Sequence, residues 1–392
     1  MKKIGFSQIL KSVILTSVLV FGTLSVVAPV SCRLTEEGLE IVPADTIAPS
    51  VELFTVASSR EIVITCSEKI ILDNISVLEV EDDFDFENFV FPDESQDVYA
   101  VADSVTYSES GLSAEIALSS QTDVGKSYLF FGVVYDISGN SLEFAQKFCG
   151  YNENPAKLLF NEIRTTYSKT KPASEYIELY VLKGGNTYGL EVVSAANGEA
   201  KKYVFPAIEV KTGEYITVHG RILEGMEGSV ADELDDDLAL SLDFESCDTA
   251  RDLWKEGSDK IASNTDVIVL RDCVSGVLKD AVLCAESGKT EWSKKLMTEF
   301  AEKAVELGIW SDGSSPETAV CTDGMKSSLL RSISRQNTAA IVEKYAASEN
   351  FPEYIASSAK DWFVTEKEGS GKNIISGATP GFENSTNPLA SD

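Results

Sequence analysis

The stretch Leu158 to Tyr180, LLFNEIRTTYSKTKPASEYIELY, restricts the rest of the chain more than any other. It holds two apolar runs, Leu158–Ile163 and Tyr176–Tyr180, joined by a polar, lysine-rich connection containing Pro172. In the second run Tyr176, Glu178 and Tyr180 alternate with Ile177 and Leu179. That period of two is the mark of a half-buried strand. Asn161-Glu162 stands near the end of the first run, where a strand meets its loop. Two such runs at this spacing predict an antiparallel hairpin opening a β-domain.

Around it the pattern is one of short strands. Before residue 151 the apolar runs are Val51–Val56, Glu61–Cys66, Ile75–Val80, Val98–Val105, Ser113–Leu118, Tyr128–Tyr135 and Phe144–Phe148, with turn residues such as Asp136-Ile137-Ser138-Gly139-Asn140 between them. After it come Tyr188–Ala195, Lys202–Phe205, Tyr215–His219, Val267–Asp272 and Leu278–Cys284. At 392 residues the chain is too long for one ordinary core, so two domains are expected. The fold class is expected to be mostly β, with an Ig-like β-sandwich at 51–150 and a second β-domain at 154–386. The second carries an acidic insertion at about 225–264 and a helical one at about 290–350. Trp292–Leu307 predicts a helix with Leu296, Phe300, Ala304 and Leu307 on one face and Gly308 as its stop, and a second helical pattern runs from Asn337 to Ala347. Such helices are expected outside the sandwich or over a sheet edge, and residues 387–392 read as a disordered tail.

Residues 1–31 read as an export signal rather than as fold. Lys2, Lys3 and Lys11 make a positive start, and Ile14 to Val27 is an apolar run too short for a stop-transfer helix. Ala28-Pro29-Val30-Ser31-Cys32 follows and resembles the lipobox of bacterial lipoproteins, with Pro29 where that motif usually has leucine. The resemblance implies cleavage before Cys32 and acylation of its thiol. Each buried CH₂ of an acyl chain contributes about 0.8 kcal/mol, enough for a multiply acylated Cys32 to hold the protein on a membrane. Residues 32–50, with Pro43 and Pro49, read as a tether. The expected location is the cell envelope, either the outer membrane and periplasm or the cell surface.

Charge and cysteines narrow the chemistry. The chain has 33 Lys+Arg against 63 Asp+Glu, a net charge of -30. Such a surface repels phosphate backbones, so nucleic acid is not an expected partner. Cys66, Cys149, Cys247, Cys273, Cys284 and Cys321 follow Cys32, an even number in an exported chain, and disulfides are expected, Cys66–Cys149 among them. With His219 as the only histidine and no CxxC pair, a zinc site is not expected. Asp83, Asp85 and Glu87 alternate onto one side of an extended acidic segment, and Asp235, Asp236 and Asp237 form a second acidic run. Either is a candidate calcium site through hard oxygen ligands. The competing reading is a solvated acidic edge that blunts aggregation.

Two further resemblances follow from quoted residues. The opening Asp45 to Ser50 and the closing Val134 to Asn140 resemble those of bacterial Ig-like domains. Asn161-Glu162-Ile163, Glu175-Tyr176-Ile177-Glu178-Leu179, Tyr203-Val204-Phe205-Pro206, Gly213-Glu214-Tyr215, Val269-Leu270-Arg271-Asp272, Lys279-Asp280-Ala281-Val282, Ser328-Leu329-Leu330-Arg331, Asp361-Trp362 and Thr379-Pro380-Gly381 with Asn384 resemble, in order, the lamin tail domain. That resemblance implies an Ig-like sandwich of a kind also found in bacterial exported proteins.

Motifs of catalysis fail one by one. No Gly-x-Ser-x-Gly elbow accompanies His219. Ser357-Ser358-Ala359-Lys360 and Lys211-Thr212-Gly213 stand in the reverse of the order used by penicillin-binding enzymes. Gly369-Ser370-Gly371-Lys372-Asn373 lacks the first glycine and the hydroxyl residue of a phosphate loop. The expectation is therefore a non-catalytic, lipid-anchored binding or adhesion module without a cofactor, its ligand a protein or a glycan. The alternatives are a structural envelope protein binding its neighbours or wall polymers, and an accessory to a secreted hydrolase or nuclease. Cys32→Ala is expected to move the protein from the detergent phase to the aqueous phase on phase partition of expressing cells; persistence in detergent would dispose of the lipid anchor.

Overall fold

The computed structural model describes residues 30–35 and 38–43 as backbone, and 45–81, 84, 89, 98–273, 275–345 and 351–390 in full. The protein is mostly β and divides into two compact units, Met1–Tyr151 and Asn152–Asp392. Of the sequence expectations, the export signal over 1–29 and the acidic residues Asp83, Asp85 and Glu87 lie outside the described residues, as does the Cys32 side chain. The Cys32 backbone lies in β1 (Val30–Thr35), which pairs antiparallel with β2 (Gly38–Pro43).

The rest of the first unit is one seven-stranded sheet built from β3 (Val51–Ser58), β4 (Glu61–Cys66), β5 (Ile70–Val80), β6 (Ala100–Tyr107), β7 (Ser113–Leu118), β8 (Ser127–Asp136) and β9 (Ser141–Cys149). Their order across the sheet is β3-β4-β7-β6-β5-β8-β9. β6 joins the halves: it pairs with β5 only at Ala100 and Val101, then with β7 from Ala102 to Tyr107. Alternation in β4 and β7 buries Ile62, Ile64, Ile116 and Leu118, and these meet Val77, Tyr128 and Phe130 in one core. Aromatic rings close it, with Phe54 edge-on to Phe130 at 5.4 Å and Tyr128 stacked on Phe148 at 5.5 Å. β8 is buried along nearly its whole length because other strands cover it, which is why its sequence is a continuous apolar run.

The second unit shares one large core between two sheets. The six-stranded sheet is built from β10 (Lys157–Arg164), β11 (Tyr176–Lys183), β16 (Tyr215–His219), β17 (Ala250–Trp254), β21 (Ile333–Arg335) and β22 (Trp362–Val364), in the order β17-β16-β11-β10-β21-β22. The five-stranded sheet uses β13 (Leu190–Ser194), β14 (Tyr203–Val204), β18 (Asp266–Asp272), β19 (Leu278–Ala285) and β20 (Val320–Cys321), in the order β14-β13-β18-β19-β20. A two-stranded piece, β12 (Gly185–Asn186) with β15 (Glu209–Val210), lies between them in the chain. Phe160, Ile177, Leu179, Ile216 and Val218 from the first sheet pack in the same cluster as Val193, Val267, Val269, Val282 and Leu283 from the second.

Several expectations are corrected. The segment read as an acidic insertion contains β17, which extends the six-stranded sheet parallel to β16. Its Arg251-Asp252 pair hid it: both side chains are buried but charged, so the run carries no apolar signal. Helix α1 (Lys295–Glu306) packs on β18 and β19 as a layer over the outer face of the five-stranded sheet, where it buries Met297, Phe300, Ala301 and Ala304 and sets the Phe300 ring 5.5 Å from Arg271. Gly308, at φ 74°, ends it in the left-handed conformation. Helix α2 (Thr338–Tyr345) instead buries Ile341 against Leu159 and Leu182. The tail is ordered as far as it is described. Leu389 N donates to Val364 O at 2.7 Å, Asn387 Nδ2 to Glu366 O at 3.2 Å, and Pro388 bridges Thr365.

The disulfide expectation is also corrected: Cys66, Cys149, Cys247, Cys284 and Cys321 are unbonded thiols. Cys66 points into the first core while Cys149 is exposed, and a disulfide needs both Cβ atoms facing each other within about 4.5 Å. Burial pushes the Cys66 thiol up to about 11. Cys273 is half-buried just past β18, its N–H donating to Gly189 O at 2.8 Å. Phe130→Ala, which empties the centre of the first core, is expected to destabilise that unit by about 3–5 kcal/mol in urea unfolding; a loss below about 1 kcal/mol would contradict this account of the core.

Candidate functional site

Across the six-stranded sheet, register places Ser334, Glu162, Glu178, Thr217 and Asp252 in one polar row on neighbouring strands. All five are buried. A bulge between Phe160 and Glu162 turns Asn161 toward the same face. Glu162 accepts from Tyr176 Oη at 2.8 Å, Ser332 Oγ at 2.6 Å, Ser334 Oγ at 2.9 Å and Thr379 N at 3.0 Å. Glu178 accepts from Asn161 Nδ2 at 2.7 Å and from Gly381 N. Asn384 Nδ2 reaches Arg335 O at 2.7 Å and Asn161 O at 3.1 Å. Only glycine fits at 381, because its φ is 78° and a Cβ there would meet Cys247 Sγ at 2.2 Å.

The quoted Asn-Glu-Ile, Glu-Tyr-Ile-Glu-Leu and Thr-Pro-Gly residues therefore converge, and they converge on a lock. Two carboxyl groups on adjacent strands hold the C-terminal segment against the sheet. Burial pushes both upward, and for Glu178 the neighbouring Glu162 charge adds to it, so the pair keeps a proton where free carboxyls would be ionised. Every oxygen is committed to the fold, which makes this a poor place for chemistry on a ligand.

His219 lies in the adjacent row, at the end of β16, and is fully buried rather than at the surface. Its ring stacks on Trp254 at 3.9 Å and its Nε2 meets Asp252 Oδ1 at 2.8 Å. Glu233 ties down the loop above, accepting from Asp252 N at 2.7 Å and from Leu240 N and Ser241 N at 3.2 Å each.

The acidic run does not form a cation cage. Asp235, Asp236 and Asp237 are exposed, and Asp236 is spent on Lys211 at 2.8 Å. Asp237 N donates to Asp235 Oδ1 at 2.9 Å in a local turn. Among the described residues, the acids that do approach one another are Asp45, Glu68 and Asp136, with one oxygen from each within 4.8 Å of the others. Sequence reading missed them because they come from three separated turns. Asp136 already serves its own turn, accepting from Ser138 N and Asn140 N at 2.8 Å each.

The open site lies elsewhere, at one end of the second unit, where loops leave β10 and β19 and enter β18. It is a cleft of about 590 Å³, within the range of about 300–1,000 Å³ typical of ligand pockets. Thr165-Thr166-Tyr167 forms one side, directly after β10, and Ser263-Asn264-Thr265, directly before β18, forms another. Thr165 Oγ1 donates to Asn264 Oδ1, and Thr322 Oγ1 holds the Asn264 carbonyl at 2.8 Å. Thr265 Oγ1 accepts from Glu286 N at 3.1 Å. The walls are thus cross-braced by side chains from three loops. The Tyr167 ring is exposed on the cleft side and backed by the Arg221 guanidinium at 4.0 Å, which Glu175 fixes at 2.8 Å from below. Three lysines, 260, 289 and 326, line the cleft. Lys326 pairs with Glu286, and its hydrogen bond holds that carboxyl below the ordinary range.

None of the cleft residues was singled out from sequence. They are scattered from Thr165 to Lys326 with no periodicity, and nothing in the local sequence joins them.

Comparison with known proteins places the cleft in a matched segment. The family model described as TP_1001_2nd, protein second domain, matches residues 156–364. An uncharacterized protein of Treponema pallidum (strain Nichols) is 28% identical over 195 residues, 48% of this chain and 48% of that protein. The chain thus matches about half the length of that curated relative. Among solved structures, the N-terminal part of the bacterial S-layer protein SbsC aligns over 61% of this chain and 44% of its own, at 16% identity and a TM-score of 0.22. A DUF4876 family protein from Bacteroides thetaiotaomicron VPI-5482 aligns over 68% and 82%, at 12% identity and a TM-score of 0.26.

Stability of the second unit should depend on pH through its buried acids. Their folded-state values are raised, so they add stability at low pH and lose it as pH rises from about 4.5 through the raised values. Asp266, pushed by burial to about 6 from 3.8, contributes in the same sense between those values. Glu178→Gln mimics the protonated carboxyl and is expected to flatten the fall in urea midpoint between about pH 5 and 8; parallel curves for parent and variant would show that Glu178 carries no proton.

Proposed function

The chain belongs to the family described as TP_1001_2nd, protein second domain, through residues 156–364, and from that premise we propose that it is a non-catalytic, exported binding protein of the cell envelope. It is held on a membrane by acylated Cys32 and recognises its ligand through the cleft of the second unit. In its finer architecture it is two Ig-like sandwiches in tandem, the second of lamin tail type. That reading is supported by seven short strands around one core in the first unit and by two sheets sharing a core in the second.

One observation carries the binding role: a ligand-sized cleft built from braced loops on a rigid β scaffold, with an exposed aromatic ring pinned from behind. Loops at the end of packed sheets are where recognition sits in such folds. The absence of catalysis is supported by the use of the buried acids, since Glu162, Glu178, Glu233 and Asp252 all bond to backbone or side chains of the fold. The cleft lining offers hydroxyl, carboxamide and ammonium groups, which can recognise a ligand by hydrogen bonds.

The Cys32→Ala form of the full chain, freed from its membrane, is expected to bind isolated envelopes of its host saturably. Adding Tyr167→Ala should weaken that binding roughly tenfold while leaving the thermal midpoint unchanged. Equal binding by the two forms would remove the cleft from the function.

A further inference from the structure

We infer that the cleft takes an acidic sugar: a carboxylate- or phosphate-bearing saccharide whose ring lies on Tyr167 and whose charge lies between Lys260 and Lys289. This rests on the reading of the cleft as the binding surface and adds the ligand class.

The charge balance is the first argument. The chain has a net charge of -30, yet three of the twelve residues that line the cleft are lysines. Lys326 pairs with Glu286. Lys260 and Lys289 make no ion pair among the described residues, although both are exposed on the same cleft. Lys289 also acts on Glu286, and Lys260 on Glu175 behind the wall. The lining holds three lysines against Glu286 and Glu291, an excess of positive charge on a strongly negative protein, which favours an anion there.

Polarity supplies the second argument. The lining includes Ser, Thr, Asn, Lys, Glu and Tyr, and no aliphatic or phenylalanine side chain. Thr166 Oγ1 is buried at the cleft wall without a hydrogen-bond partner among the described residues, a hydroxyl able both to donate and to accept. Ser263 and Ser293 add further hydroxyls. Such groups suit a ligand rich in hydroxyls. A bare inorganic anion would satisfy the lysines yet occupy only a fraction of about 590 Å³.

Geometry supplies the third. Tyr167 is 38% exposed and its hidden face is closed by Arg221, itself fixed by Glu175. One face is therefore offered, rigidly, at no further cost in ordering. A flat ring fixed in this way suits the apolar C–H face of a pyranose, while the lysines and hydroxyls meet its edges. Nucleic acid offers rings and charge as well, but its many phosphates would meet the negative field of the surrounding protein.

The test uses the full chain in detergent, titrated by calorimetry with three probes: a tetrasaccharide containing glucuronic acid, its counterpart with glucose in place of the uronic acid, and inorganic phosphate. The acidic tetrasaccharide is expected to bind at least about tenfold more tightly than the neutral one, and more tightly than phosphate. Lys260→Gln with Lys289→Gln should bring the acidic probe down to the level of the neutral one. Tyr167→Ala should weaken both sugars, and both variants should keep the parent thermal midpoint. Equal affinity for acidic and neutral sugars, phosphate binding as tight as the sugar, or affinity unchanged by the double substitution would each overturn the inference. If neither sugar binds while Tyr167→Ala still weakens attachment to envelopes, the ligand class falls and the role of the cleft stands. If Tyr167→Ala leaves attachment unchanged, the binding role itself falls.

Discussion

The second unit depends on two fully buried carboxyl groups that face each other on neighbouring strands. Glu162 and Glu178 would repel if both were ionised, and like charges directly opposite one another destabilise a sheet. The structure resolves the conflict with hydrogen bonds and burial together. Tyr176, Ser332, Ser334 and Thr379 surround one acid, and Asn161 and Gly381 serve the other. Partners separated by more than two hundred residues in sequence are thereby drawn to one point, and the chain's last described segment becomes part of its fold. A pair so placed specifies one arrangement, because any other packing leaves a buried carboxyl without donors.

From that lock outward, the polar row changes character in steps. Glu162 and Glu178 are wholly internal. Arg164 lies over the Tyr176 ring at 4.7 Å, and Glu175 holds Arg221 beneath Tyr167. The last ring of this series is exposed, at the edge of the cleft. The position of the Tyr167 ring is therefore set by the buried ion pair beneath it. Buried pairs of this kind add little net stability against apolar substitutes, but they fix geometry, here that of the loop that carries Tyr167.

Acidity has two roles in this molecule. At the surface it keeps the chain soluble and repels polyanions. Within the second unit, acids are structural acceptors for backbone N–H groups: Glu233 closes the loop over β17, and Asp266 joins Ser194, Ala196, Ser263 and Val267. Counting carboxylates in the sequence could not separate these roles. The run Asp235–Asp237 looked like a ligand set and is a turn on the surface, while single acids such as Glu233 and Asp266 organise whole loops.

Much of the strand pattern was legible because alternation is local. Glu61–Cys66 and Ser113–Leu118 were bounded correctly from sequence, since each places every second side chain in a core and ends at turn residues. β17 was not, because Arg251 and Asp252 are charged residues that only their partners allow to be buried. The helix at Lys295–Glu306 was visible from its 3.6-residue period, but the strands it covers, β18 and β19, were not, since periodicity reports that a face is apolar and says nothing of what meets it. Sequence alone thus determined the β character, the division into two parts and the excess of negative charge, all of which follow from composition and short-range pattern. Tertiary structure decided that the Asn-Glu-Ile, Glu-Tyr-Ile-Glu-Leu and Thr-Pro-Gly motifs form a lock and that Thr166, Tyr167, Lys260 and Lys289 share a cleft. Those outcomes depend on which distant loops meet at the end of a sheet, and no local property of the chain encodes that meeting.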